Sequence, residues 1–139
     1  KDILDRLNDN AGNFKNSSNA IIGADFETST PSQAPVLTKN WIENLNYRLE
    51  LCKTDDEKLS EILNSHIEFE RIHSFSDGNG RIGRLIMLYL CFQEKMSPFV
   101  IEKSDRALYM TYLREQNVEI IFERVKELQE FEDNRLTQF

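Results

Sequence analysis

The sequence predicts a mainly α-helical domain that carries one small β-hairpin. From about residue 38 to the end of the chain, apolar residues recur at helical spacing. Hydroxyl and acidic residues stand where several of these helices would begin. One short apolar segment near the start is flanked by turn-forming residues instead, which is typical of a strand. A length of 139 residues suits one domain with its own hydrophobic core, so we treat residues 1–139 as a single domain.

The first part of the chain is the least regular. An apolar trio before residue 8 is interpreted as the end of a helix, which a polar run with a glycine then breaks. The segment from Ala20 to Phe26 predicts a strand, as one arm of a surface hairpin within about residues 12–30. Pro31 and Pro35 predict a stiff, extended connection after this hairpin.

The remainder of the chain predicts five helices. Thr38 is the predicted N-cap of the first, and Thr54 with Glu57 forms a capping-box pattern that opens the second. The third is predicted to start at Arg81 and is apolar on every side from Leu85 to Phe92, as in a central, buried helix. The last two carry their apolar residues at helical spacing: Leu108, Tyr112 and Leu113 in the fourth, and Val118, Ile121, Phe122, Val125 and Leu128 in the fifth.

Composition narrows the classes of function. A net charge of −7 gives no counterion release on nucleic acid, so general DNA or RNA binding is disfavoured. The longest apolar run, Leu85 to Phe92, is far shorter than the roughly 20 residues that cross a bilayer, so no membrane partner is expected. No signal peptide opens the sequence, and Cys52 and Cys91 are isolated, which favours packing roles in a reducing compartment. We therefore predict a cytoplasmic location.

The segment from His73 to Arg84 carries most of the chemical information. Its glycines, Gly78 and Gly80, allow backbone N–H groups to approach a ligand closely. The helix that follows adds free N–H groups and the positive end of its dipole. Arg81 and Arg84 lie three residues apart on one helix face and can bind phosphate oxygens. This combination predicts a polyphosphate-binding site.

Two further residues of this segment indicate catalysis. Asp77 would repel an anion unless a divalent metal bridged it to phosphate oxygens, which is the usual mode of Mg²⁺ binding. His73, at the rim of the anion site, can take up a proton near neutral pH. The residues alone therefore predict a polyphosphate site with a titratable base beside it.

The same segment resembles the signature of the Fic family, H-x-F-x-[D/E]-G-N-G-R-x-x-R, and fills every fixed position of it. The commoner form of the family has Pro after the histidine, where this chain has Ser74. Residues 11–15 resemble the family's G-x-[Y/F]-R stretch, with Lys15 where Arg is usual. The segment 21–26 resembles the family's flap hairpin, and the helices follow the family's order. The resemblance covers about residues 12–112.

The resemblance implies a Fic-type helical bundle that transfers AMP from ATP to a Tyr, Thr or Ser hydroxyl of a target protein, with pyrophosphate leaving. It implies that His73 is the general base and that Asp77 holds Mg²⁺ on the phosphates. The resemblance also implies that the phosphates are bound by Gly78, Asn79, Gly80, Arg81 and Arg84, and that Phe75 is a structural anchor. It implies a flap that pairs with an extended segment of the target, formed by Ile21, Ile22, Gly23, Ala24 and Asp25.

Several alternatives stay open at this point. Members of this fold also transfer UMP or phosphocholine, and the kinase-like Doc relatives are disfavoured because Gly80 is retained. A non-catalytic helical interaction module is disfavoured because His73 and Asp77 are present. Many Fic proteins are restrained by a glutamate within [S/T]-x-x-x-E-[G/N] that pairs with the second signature arginine, here Arg84. This sequence has no complete copy, so a restraint comes from a separate inhibitory, antitoxin-like protein or from sequence beyond this chain, or there is none.

The polar residues just before the signature are interpreted as structural. His66 is predicted to be packed in the core. Arg71, Glu68 and Glu70 are predicted to form a solvated face.

Overall fold

The computed structural model describes residues 12–21, 23 and 26–138, and these residues form a mainly helical fold. The elements are α1 (Ala34–Leu51), α2 (Asp55–Ile72), α3 (Asn79–Gln93), a 3₁₀ turn (Lys103–Asp105), α4 (Arg106–Glu115) and α5 (Glu119–Leu136). Within these residues, no helix is long and apolar enough to span a membrane.

Helix α2 lies at the centre of the bundle and packs on α1, α3 and α5. As predicted, it begins after Thr54, whose hydroxyl accepts a hydrogen bond from the Glu57 N–H at 3.1 Å. Its apolar face is buried, and the Phe69 ring lies 5.2 Å from that of Trp41 on α1. The Trp41 indole N–H also donates to the Ser65 carbonyl at 2.8 Å, which satisfies its one polar atom inside the core.

Helix α1 begins earlier than the sequence predicts. It starts at Ala34 with Gln33 at the N-cap, so the predicted cap at Thr38 is wrong. Pro35 lies within the first helical turn, where a missing N–H costs no intrahelical hydrogen bond. Thr38 instead donates its hydroxyl to the Ala34 carbonyl at 2.7 Å. The extended connection predicted at Pro35 is therefore also wrong.

Helix α3 begins at Asn79, two residues before the predicted start, with Gly78 as its N-cap. The prediction that α3 is buried on all sides is wrong. Met87, Leu90 and Cys91 are buried against the bundle, but the opposite side is open: Leu85 is 51% exposed, Tyr89 64% and Phe92 61%. Since α2 is the helix on which α3 packs most closely, only one side of α3 faces the core.

The predicted hairpin is not seen in the part of the chain that the structure describes. Between residues 12 and 30, that part forms turns and extended loop without a strand. Of the predicted flap, Ile21 and Gly23 are described, while Ile22, Ala24 and Asp25 lie outside the described residues, as does the helix end predicted before residue 8. Both cysteines are free thiols, as predicted, and Cys91 is fully buried.

Candidate active site

The signature residues form a tight loop between α2 and α3. His73 ends α2 in the left-handed region, at φ 50°, and Gly78 adopts φ 79° just before α3. The Asn79 side chain closes the loop: its carbonyl oxygen accepts from the Phe75 N–H at 2.9 Å, and its amide donates to the Phe75 carbonyl at 2.7 Å. Asn79 is only 2% exposed, so these bonds are shielded from water. Asn79 therefore shapes the loop through its side chain.

Replacing Asn79 with alanine should remove both bonds to Phe75 and leave the Phe75 N–H unpaired, while the Phe75 carbonyl keeps its bond from the Asn19 amide. We expect the free energy of unfolding to fall by about 1–3 kcal/mol, since each such bond contributes roughly 1 kcal/mol. Denaturant unfolding would measure this, with the exposed Asn40→Ala on α1 as the matched control. Equal unfolding midpoints for the two variants would show that the Asn79 side chain does not hold the loop.

The N-terminal segment that contains Lys15 and Asn19 also holds the loop in place by hydrogen bonds. Lys15 is 3% exposed, and its ammonium donates to the Asn19 side-chain oxygen at 2.9 Å and to the Ile72 carbonyl at 3.2 Å. Its backbone N–H donates to the Ser74 carbonyl at 2.8 Å. The Asn19 amide also donates to the Phe75 carbonyl at 2.7 Å. Lys15 thus fixes the loop at the end of α2.

Ser74 and Phe75 join the loop to the rest of the fold. Ser74 is fully buried, and its hydroxyl shares a hydrogen bond with that of Thr38 at 2.7 Å. A proline at this position would offer no such group. Phe75 packs against the core and stacks on Phe14, with ring centroids 5.9 Å apart and planes 4° from parallel.

His73 is held as a neutral imidazole. Burial and the nearby positive charge of Lys15 lower the pKa of His73, and the Glu70 backbone carbonyl opposes this in part. Because its folded-state pKa is depressed, His73 stays unprotonated to a lower pH than an exposed histidine does. An unprotonated imidazole can accept a proton.

Removing the Lys15 charge should raise the pKa of His73. We expect Lys15→Gln to move the acidic limb of any His73-dependent pH–rate profile to higher pH, because a positive neighbour disfavours the imidazolium. NMR titration can follow His73 directly: the chain has two histidines, and His66, with its pKa near 3, stays silent in the neutral range. Lys39→Gln removes a charge from an exposed residue of α1 and should leave the titration unchanged. An unmoved His73 titration in Lys15→Gln would contradict this account.

The loop faces a cavity of about 520 Å³ with two unlike sides. The polar side is made by the loop and the start of α3, and it contains His73, Ser76, Asp77, Gly78, Asn79, Gly80, Arg81 and Arg84. The other side is made by α4 and the N-terminal loop, and it mixes apolar and polar residues: Asn19, Ala20, Ile21, Arg106, Tyr109, Met110 and Leu113. The sequence did not identify the α4 residues, because apolar residues at helical spacing predict core packing equally well.

Asp77 is the carboxylate at the mouth of the loop. One of its oxygens accepts from the Gly78 N–H at 2.7 Å, and the other lies 3.6 Å from the Arg81 guanidinium. The Asp77 side chain is 58% exposed. No group of three or more metal-ligating side chains occurs in the described part of the chain. A single accessible carboxylate suits Mg²⁺, which is commonly held by one or two carboxylates together with substrate phosphates.

Beneath the loop, two predictions of a solvated surface are wrong. Glu70 is 3% exposed and lines the cavity. Arg71 donates to the Leu113 carbonyl at 3.1 Å and lies over the Phe26 ring at 4.1 Å. Both residues lie on the central helix, where neighbours on other elements bury Glu70 and half-bury Arg71. Glu68, in contrast, is partly exposed and pairs with Arg48 at 2.9 Å.

The core position predicted for His66 is confirmed. His66 is 2% exposed, and its Nε2 lies 2.8 Å from the Tyr109 hydroxyl. Burial and the charge of Arg84 lower the pKa of His66 to about 3, so it is uncharged at neutral pH.

Taken together, these features define a class of protein: a helical domain in which a tight loop that bears a histidine and two arginines faces a cavity. Comparison with known proteins places the chain more closely. The model of the Fic/DOC family matches residues 1–91, and the chain belongs to that family.

Individual relatives agree with this assignment. The chain is 42% identical over 53 residues to the protein adenylyltransferase Fic of Aedes aegypti, which covers 38% of this chain and 11% of the relative. It is 30% identical over 105 residues to a probable protein adenylyltransferase of Aquifex aeolicus (strain VF5), which covers 73% of this chain and 30% of the relative. The chain thus spans less than a third of these curated relatives.

A solved structure supports the fold alone. A Fic domain containing signaling protein from Bacteroides thetaiotaomicron superposes with a TM-score of 0.66 at 21% identity. The match covers 84% of this chain and 49% of that protein.

Proposed function

We propose that this chain transfers AMP from ATP to a hydroxyl side chain of a target protein and releases pyrophosphate. The observation that carries the proposal is the complete loop from His73 to Arg84, which faces a cavity that Arg81, Arg84 and residues of α4 also line. Matching relatives named protein adenylyltransferases support AMP as the transferred group.

The cavity accounts for how ATP would bind. The Gly78 N–H donates to Asp77, so the free backbone N–H groups of Asn79 and Gly80, at the positive end of α3, would hold the α-phosphate. Asn79 would contribute its N–H, since its side chain is committed to Phe75. Arg81 and Arg84 would bind the outer phosphates. The adenine base would lie against the α4 side of the cavity, where Tyr109 offers an aromatic ring.

The reaction would be an in-line displacement at the α-phosphorus. Neutral His73 would take the proton from the target hydroxyl, whose oxygen would attack the α-phosphorus. The bond to the oxygen that bridges the α- and β-phosphates would break, and that oxygen would leave on pyrophosphate. Positioning and fixed positive charge would supply most of the rate. Asp77 would hold Mg²⁺ against the phosphates, and the ion would neutralise part of their charge.

Two protein partners belong to the proposal. The target would dock an extended segment along residues 21–25, placing its hydroxyl near His73; Ile21 already lines the cavity. An inhibitory, antitoxin-like protein would restrain the enzyme by pairing an acidic side chain with the exposed Arg84.

Radiolabelled ATP tests the transferred group. With Mg²⁺ and a lysate as target source, ATP labelled on the α-phosphate should label protein, and ATP labelled on the γ-phosphate should not. Chelating the metal should stop the labelling. Transfer from γ-labelled ATP, UTP or CDP-choline instead would identify a kinase, a UMP transferase or a phosphocholine transferase. Nucleotide binding without transfer to any protein would favour a non-catalytic module.

A further inference from the structure

A buried carboxyl, that of Glu70, lies beneath the loop between α2 and α3. Glu70 precedes His73 by one helical turn on α2, is 3% exposed and lines the cavity. Its Oε1 accepts no hydrogen bond from any residue that the structure describes. A buried carboxyl oxygen without a partner costs folding free energy, so its presence in the cavity calls for a functional account.

The surroundings of Glu70 show what that oxygen faces. Gly83 has no side chain, and a Cβ there would lie 2.5 Å from Oε1, so the carboxyl packs directly against α3. On α2, His66 Nε2 lies 3.8 Å from Oε1, but it is uncharged and bonded to Tyr109. On α3, the positive charge of Arg84 acts on Glu70.

The remaining titratable neighbours do not supply a counter-charge. On α4, burial raises the pKa values of the Tyr109 and Tyr112 hydroxyls, and the charge of Glu70 adds to this, so these groups are neutral. Arg106 lines the same cavity and acts on Tyr109. His73, at the end of α2, is held neutral. Among the residues that the structure describes, Arg84 is the positive group whose charge is seen to act on Glu70, and it is also one of the two arginines of the proposed phosphate site.

We propose that Glu70 is a positioning residue of this site, which steadies Arg84 while the cavity is empty and takes up one proton from solvent when a nucleoside triphosphate binds. The inference rests on the proposed function, which places a polyphosphate beside Arg84. Once phosphate oxygens share the charge of Arg84, an ionised Glu70 would face added negative charge. Protonation removes that repulsion and leaves the carboxyl in place under α3.

Coupling between nucleotide binding and protonation of Glu70 determines how the nucleotide affinity changes with pH. Burial raises the pKa of Glu70 to about 7 in the empty site, although Arg84 opposes the shift. A bound polyanion would raise it further. Below pH 7 the carboxyl is protonated in both states, so binding takes up no proton. Above pH 7 binding takes up a proton, and affinity should weaken by up to about tenfold per pH unit.

Calorimetry measures the proton directly. We would titrate the protein at pH 7.5 with Mg²⁺ and α,β-methylene ATP, which cannot be cleaved at the α-phosphorus, in two buffers of different ionisation enthalpy. The wild type should take up a large fraction of one proton. Glu70→Gln should take up none and should keep a constant affinity from pH 7 to 8.5. Glu68→Gln makes the same change on the outer side of α2 and should behave as the wild type.

Two measurements keep the test decisive if Glu70→Gln folds poorly. The wild type repeated at pH 5.5 should show almost no uptake through Glu70. Uptake by His73 has the opposite trend, because its depressed pKa lies on the acidic side of neutrality. Absence of uptake by the wild type at pH 7.5 would therefore overturn the role of Glu70 without any variant.

The outcomes separate this inference from the proposed function. If the nucleotide analogue binds but Glu70→Gln takes up the same proton, the inference is wrong and the function stands. If inorganic tripolyphosphate binds with Glu70-dependent uptake while the nucleotide does not bind, the polyphosphate site stands and the proposed donor is wrong. If neither ligand binds, both proposals fall.

Discussion

Replacing His73 with alanine should stop protein labelling from α-labelled ATP, lowering the initial rate by about 10²–10⁴-fold, the usual contribution of a general base. His73 lines the cavity at the loop that would hold the phosphates, and its lowered pKa keeps it ready to accept a proton. The other histidine cannot replace it, because His66 is buried and bonded to Tyr109. The loss should therefore appear in the rate of the chemical step.

Binding and folding should survive the same change. The contacts that hold the loop belong to Asn79 and Lys15, not to the imidazole. We therefore expect His73→Ala to bind Mg²⁺ and the methylene analogue with an affinity within a few fold of the wild type. Labelling by the variant at more than a tenth of the wild-type rate would rule out His73 as the base. Loss of both binding and transfer would instead show that His73 holds the loop.

Local signals in the sequence predicted the elements that local interactions determine. Thr54 and Glu57 lie three residues apart and form the cap that starts α2, so the start of α2 could be predicted from the sequence. The start of α1 could not be predicted from the sequence, since Pro35 is equally compatible with an extended connection and with a first helical turn. Only the path of the chain into the bundle decides between these.

The candidate site also has one part that the sequence predicts and one part that it does not. The loop from His73 to Arg84 was predictable because its chemistry lies in one contiguous segment. The α4 side of the cavity was not, because Tyr109 and Met110 show the helical pattern of any packed helix. Glu70 was predicted to be solvated because charged residues usually are, and the close approach at Gly83 that buries it exists only in the folded protein.

Gly83 lies at a position that the signature leaves free, yet it should tolerate no side chain. A Cβ at Gly83 would lie 2.5 Å from the Glu70 carboxyl oxygen, 2.8 Å from the His66 ring and 3.1 Å from the Phe69 ring. Two of these groups are packed ring atoms of the central helix, so they cannot move aside cheaply. We expect Gly83→Ala to lower the free energy of unfolding by about 1–3 kcal/mol through overpacking, despite the intrinsic helix preference of alanine.

The neighbouring Gly80 provides the control, because it lies on the same helix. A Cβ there would meet the Arg84 guanidinium at 3.2 Å, and that group ends a flexible side chain. Gly80→Ala should therefore stay within about 1 kcal/mol of the wild type in denaturant unfolding.

Gly83→Ala should also push the start of α3 away from α2 and move Arg81 and Arg84 from their positions in the cavity, weakening tripolyphosphate binding by about tenfold. If Gly83→Ala unfolds at the same denaturant concentration as Gly80→Ala, α2 and α3 are not in rigid contact at this point, and the burial of Glu70 has another cause.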